Sequence, residues 1–215
     1  MGYLVYDLTI KTIAWMFVMG YLIILGILFI FKYRKASEVK FHIAVALFFF
    51  LYVVARTFFI LSDFERDLHD NSLLYYRFVA ISYVCFVIAF LNIIYVFEKY
   101  ITNRYIIVYI VVPILIIDII MIFFPDVMGI VRYINYGLLY FKTGILFLLY
   151  MYVFKKTSGK VRKNSLITMI GLAIMSSAAI LEMDYLITEG IVMPYYSPLL
   201  FALSATIFTY GQKQL

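Results

Sequence analysis

Long apolar runs alternate with short polar breaks along the whole chain. Seven of the runs are long enough to cross about 30 Å of hydrocarbon as helices. They fall at Ile13–Phe31, Phe41–Leu61, Leu73–Phe97, Tyr105–Phe124, Gly129–Phe154, Leu166–Ile187 and Ile191–Tyr210. The breaks read KYRKASEVK, SDFERDLHDNS, EKYITNR, FPDVMG, KKTSGKVRKNS and TEG. None is long enough to hold a soluble domain. The pattern predicts one all-α domain over residues 1–215, a polytopic membrane protein built as a seven-transmembrane-helix bundle. Composition agrees: 66% of the 215 residues are hydrophobic and 14% are charged, which leaves too little polar surface to cover a soluble fold.

The charges that remain set an expected topology. Lys32, Arg34, Lys35 and Lys40 follow the first run, Lys99 and Arg104 the third, and Lys155, Lys156, Lys160, Arg162 and Lys163 the fifth. The opposite breaks carry Asp63, Glu65, Asp67, Asp70, Asp126 and Glu189. Basic residues collect on the cytoplasmic side, so the N-terminus is expected outside and the C-terminus in the cytoplasm, in a multi-pass protein of the cell membrane. The net charge of +6 is thereby a topological signal, and nucleic acid is not an expected partner. The first run is long and ends in a basic cluster, unlike a cleavable signal peptide.

A faint repeat runs through this pattern. Phe31 opens FKYRKASEVK after the first run and Phe154 opens FKKTSGKVRK after the fifth; Tyr75-Tyr76 starts the third run and Tyr195-Tyr196 the seventh. A three-plus-one-plus-three arrangement of parallel repeats would give this. Basic inner loops and interfacial tyrosines, which recur in any such protein, would give it as well.

Six ionisable residues lie inside the runs: Arg56, Arg77, Asp118, Lys142, Glu182 and Asp184. A charge in hydrocarbon costs roughly 2.5–3.5 kcal/mol near the centre, so each needs a partner or a purpose. Counted from the ends of their runs at about 1.5 Å per residue, all but Lys142 fall roughly 5–10 Å below the outer surface, in one layer. Arg56 and Arg77 are the expected partners of the carboxylates, because a guanidinium stays charged and holds two oxygens. Glu182 and Asp184 point about 200° apart on a helix. Glu182 shares its face with Ala178, Met175 and Gly171 and is expected inward; Asp184 is expected to reach water or headgroups. Snorkelling to the surface is the plain alternative for each charge taken singly.

Lys142 is expected near the midplane, with Asp118 one to two turns above it. Ser82, Cys85, Ala89 and Asn92 mark one face of the third run and Ser197, Ser204 and Gly211 one face of the seventh. Such stripes allow close packing, and Asn92 must also find hydrogen bonds. With Lys142 and Ser204 it is a candidate for a polar path at the midplane. Pro113 can kink the fourth helix, whereas Pro198, in a first turn, disturbs little. Tyr133, Tyr136 and Tyr140 mark one side of the fifth run. A single cysteine, Cys85, and two histidines, His42 and His69, give no disulfide and no metal constellation. No nucleophile with a base and no phosphate loop appears, so neither an enzyme nor a cofactor is expected. The seventh run has no lysine for a retinal Schiff base. The third ends VFEKYITNR without an aspartate-arginine-tyrosine turn, and the seventh has no asparagine-proline step, the marks of large eukaryotic receptors.

The segments ILEMDYL and GIVMPYYSPLLFALSATIFTYG, with the compact seven-run plan, resemble the seven-span N-terminal sensor regions of prokaryotic histidine kinases, especially archaeal ones. No kinase part precedes Leu215, so the resemblance implies a free-standing sensor or binding module that signals through a separate partner. On this reading an outward pocket floored by the charged layer takes a small ligand or a partner's extracellular segment. The basic inner loops would meet anionic lipid or a cytoplasmic or membrane protein. Two other readings fit the same pattern: a small-solute transporter or channel on the three-plus-one-plus-three plan, and a structural subunit of a larger complex. The topology is open to a direct check. A reporter fused after Leu215 should be cytoplasmic, and the 63–71 loop should react with an impermeant label in intact cells; a protected loop overturns the orientation.

Overall fold

The computed structural model describes residues 2–32, 39–69, 72–124, 144–182 and 193–212. Seven helical stretches occupy them: α1 (Gly2–Lys32), α2 (Val39–Leu68), α3 (Leu73–Phe97), α4 (Ile106–Phe123), α5 (144–156), α6 (Gly159–Leu181) and α7 (Tyr196–Gln212). No strand occurs among the described residues. Five of the helices are long and apolar enough to cross a membrane: α1 from Thr9, α2 from Phe41, α3 with its extension to Tyr100, α4 and α6. The chain divides into two compact units, Met1–Leu22 with Tyr140–Leu215, and Ile23–Leu139.

Several boundaries differ from the hydropathy pattern, and α1 begins at Gly2, eleven residues before Ile13. Helix α2 runs to Leu68, seven residues past the last apolar position, Leu61. The acidic segment SDFERDL stays helical because its charges pair locally: Arg66 meets Asp63 at 3.7 Å and His69 meets Glu65 at 3.4 Å. Such spacings support an exposed helix turn. Glu65 also accepts the Ser72 hydroxyl at 2.7 Å, and Ser72 in turn accepts the Tyr75 N–H as N-cap of α3. At the other end of the chain, α6 starts at Gly159 rather than Leu166 and ends at Leu181. Its polar opening GKVRKNS contains good helix formers, and Gly159 takes the left-handed φ of 61° that follows Ser158.

In the unit Ile23–Leu139, α3 packs between α2 and α4. Phe48 meets Phe90 at 5.4 Å and Tyr52 meets Phe86 at 5.5 Å between ring centroids, which fixes an antiparallel register. Near one end of this pair the Asn92 amide donates to the Ala44 carbonyl at 2.8 Å. An amide inside an apolar bundle must be satisfied, and here it joins two helices. The end of α1 packs on α2, with Phe29 against Phe49 and His42 at 6.1 Å each.

The other unit is built on tighter contacts between α6 and α7. A Cβ on Gly171 would lie 2.8 Å from the Phe208 backbone N and 3.1 Å from the Ser204 carbonyl. One on Gly211 would meet Thr168 Oγ1 and, at 3.0 Å, the Asn164 carbonyl. Gln212, fully buried, donates to the Tyr150 and Thr168 hydroxyls and so ties α7 to α5 and α6. The beginning of α1 lies along α7, with Trp15 on Phe201 at 5.6 Å and a 2.8 Å hydrogen bond between the Tyr21 and Thr206 hydroxyls.

The two antiparallel pairs share one register. An offset of 120 residues carries Phe48–Phe90 onto positions 168 and 210, where Thr168 meets Gly211. It carries Tyr52–Phe86 onto 172 and 206, where Gly171 lies against Ser204 and Phe208. Asn92 falls on Gln212, and Tyr75-Tyr76 on Tyr195-Tyr196, each tyrosine pair with its rings 5.0 Å apart. Both pairs are thus antiparallel and close to one register under this offset.

Backbone proximity at Gly171 gives a test. Gly171→Val should destabilise the detergent-solubilised protein by about 1–3 kcal/mol through overpacking. Gly20→Ala, with nothing within 4 Å of the added carbon, should be neutral or stabilising by up to ~1 kcal/mol. Thermal unfolding of the two variants side by side checks the contrast.

Candidate functional site

Arg56 is 5% exposed and Asp118 is 0% exposed, the deepest charges of α2 and α4. Their levels follow from the packing of α3. Arg56 is one turn beyond Tyr52, and Ser82 one turn before its partner Phe86, so the antiparallel register sets Arg56 level with Ser82. Met121 of α4 joins a cluster with Tyr75, Val79, Ala80 and Tyr83 of α3, against which Phe59 of α2 also packs. Asp118, one turn back along α4, comes to the level of Ser82 and Tyr83. Both charges therefore address the same stretch of the central helix. The Arg56 guanidinium lies 6.0 Å from the centre of the Phe59 ring, and Phe59 stands edge-on to Tyr83 at 5.5 Å. Ser82 is fully buried, and its hydroxyl donates to the Phe78 carbonyl at 2.8 Å.

Of the five charges expected in one layer, Arg56 and Asp118 stand at one level of α3. Arg77 is exposed. It stands two residues from buried Tyr75 and Val79, about 200° around the helix from each, and so on the opposite face of α3. It also lies five residues, about 7 Å, from the level of Ser82. Glu182 belongs to the other unit, where it caps the C-terminus of α6 and is half-buried. Asp184 and Lys142 lie outside the described residues, as do Tyr133, Tyr136 and Tyr140. Asn92 is engaged with Ala44. Ser204 is buried at the Gly171 contact, and its hydroxyl donates to the Phe201 carbonyl at 2.7 Å.

Two residues with chemical consequence escaped the sequence pattern. Glu98, in the break read only for its basic charges, is 2% exposed. Helix α3 continues as a π-helical turn (Glu98–Thr102) before Asn103 reverses the chain at φ 51°. That geometry folds Glu98 back so that its two oxygens accept the N–H groups of Ile107 and Val108, each at 2.9 Å. A carboxylate thus caps the positive end of α4 from outside the helix. An acid at the end of one apolar run, nine residues before the first turn of the next, was the available signal. The other residue is Lys11, 9% exposed on α1, two residues before the apolar run counted from Ile13. Its nearness to Trp15 in sequence was the clue.

Comparison with known protein families, characterised proteins and solved structures finds no match for this chain. The site is read from its own geometry.

The cap can be tested alone. Glu98→Ala leaves two buried N–H groups without their acceptor and should cost about 2–4 kcal/mol, at roughly 1–3 kcal/mol for each group left unsatisfied with partial relaxation. Glu98→Gln, which keeps one oxygen, should cost about half as much. Chemical unfolding of both variants measures this; equal losses would mean that the charge and second oxygen contribute nothing.

Proposed function

We propose that the chain is a seven-helix, multi-pass sensor or binding module of the cell membrane, with its N-terminus outside and its C-terminus in the cytoplasm. The observation that carries this reading is the burial of Arg56 and Asp118 at one level of α3. A carboxylate withdrawn from water is costly unless a cation answers it, and Arg56 is the cation placed to do so. Such a pair is held by geometry rather than by net stability, so a ligand that competes for either member can shift α2 against α4. Tyr75, Tyr76 and Tyr83 supply an aromatic, hydrogen-bonding wall on the side nearer the start of α3. A small ligand entering from outside would meet these rings first. The state of the pair would pass to a separate protein through the basic segments that follow α1 and α5.

A small-solute transporter is the second reading, and the common register of α2–α3 and α6–α7 favours it. Repeated helix pairs are the architecture from which alternating access is built. Flux of candidate solutes into proteoliposomes separates the two: a sensor binds without flux.

The ion pair has its own test. Arg56→Met and Asp118→Leu should each destabilise by about 3–5 kcal/mol, and the double variant by clearly less than the sum. Strict additivity in unfolding experiments would show that the two charges do not interact and would remove the basis of the reading.

A further inference from the structure

A second polar cluster lies within the unit formed by Met1–Leu22 and Tyr140–Leu215, around the start of α7. Trp15 of α1 rests on Phe201 of α7. One turn before that contact on each helix stand Lys11 and Ser197, on the same faces as the two rings. Glu182 comes to this level from α6. It continues the stripe Gly171, Met175 and Ala178, of which Gly171 touches α7 between Ser204 and Phe208. Eleven residues along α6 from Gly171, the antiparallel register reaches the Tyr195–Ser197 turn. By register, an ammonium, a carboxylate and a hydroxyl from three helices thus stand within about one turn of the same height. Lys11 is 9% exposed and Ser197 is 3% exposed. Among the described residues, the Ser197 hydroxyl has no hydrogen-bond partner.

We infer that Lys11, Glu182 and Ser197 form a binding site for a small zwitterion carrying a carboxylate and an ammonium a few ångströms apart, as a free amino acid does. Lys11 supplies the charge for the carboxylate, and the Ser197 hydroxyl donates to it. The N-terminus of the 17-residue α7 adds its positive dipole end at the same place. Glu182 receives the ammonium. Glu182 suits this role because it is the C-cap residue of α6, where the helix dipole favours a nearby cation. A buried hydroxyl without a partner costs free energy, and a ligand carboxylate relieves that cost. A simple anion would satisfy Lys11 and Ser197 but repel Glu182; a simple cation would do the reverse. The site is independent of Arg56 and Asp118, and in the orientation proposed above it faces outside.

The test is binding of free amino acids with apolar, polar and charged side chains to the purified full chain, by equilibrium dialysis with radiolabelled ligand. The half-molecules propionate and ethylamine serve as competitors. At least one amino acid should bind, and each half-molecule should compete at least tenfold more weakly. Ser197→Ala should weaken binding by about fivefold to tenfold, the ratio that a hydrogen bond of ~1–1.4 kcal/mol converts to. Glu182→Gln and Lys11→Met should abolish it, whereas Lys11→Arg, which keeps the charge, should retain it. No binding by any amino acid, propionate competing as well as the amino acid, or wild-type affinity in Glu182→Gln would each overturn the proposal. Should Lys11→Met fail to fold by circular dichroism, Ser197→Ala and Lys11→Arg still decide.

Discussion

Each polar group inside this chain has to be answered by another part of the chain, because the helices around it offer only hydrocarbon. That constraint organises the described structure more than hydrophobic burial does. In lipid, apolar side chains gain little by leaving one helix face for another; close backbone approach and internal hydrogen bonds decide which helices meet. Asn92 reaches across to the Ala44 carbonyl, Gln212 to the Tyr150 and Thr168 hydroxyls, and Glu98 to the first amides of α4. Each of these contacts pins a register between two elements, and the large aromatic side chains then fill the space that the register leaves.

Register in turn determines which charges share a level. Arg56 and Asp118 are brought together at Ser82 by two separate antiparallel packings on α3. In the proposed second site, Lys11 and Glu182 come to the level of Ser197 through the packing of α1 and α6 on α7. The two groupings use the same device, a central helix with a buried serine flanked by a cation and a carboxylate from its neighbours. The shared offset of 120 residues between α2–α3 and α6–α7 gives this likeness a structural footing, although Ser82 and Ser197 are not equivalent under that offset.

The chemistry proposed for these places is recognition. Ammonium, guanidinium and carboxylate groups held among tyrosines discriminate small charged molecules. An ion pair whose attraction is offset by desolvation is poised to exchange one partner for another. In the proposed sensor, occupation of such a site changes how neighbouring helices sit on α3 or α7, and the basic ends of α1 and α5 carry that change to a partner.

By itself the sequence determined that the chain is helical, with apolar runs of membrane-spanning length. It also placed α3 at Leu73–Phe97 and marked Arg56, Asp118 and Glu182 as charges needing an answer. These follow from composition and run length, which need no knowledge of neighbours. Only the tertiary structure decided that Arg77 faces away and that Glu98 turns inward to cap α4. Hydropathy counts depth from the last apolar residue. Helix α2 instead continues through a self-paired acidic segment, and the level of Arg56 against Ser82 is set by which residues of two helices lie opposite each other. That pairing arises from contacts such as Phe48 on Phe90 or Gly171 on Phe208, between residues far apart in the chain, and no local pattern encodes it.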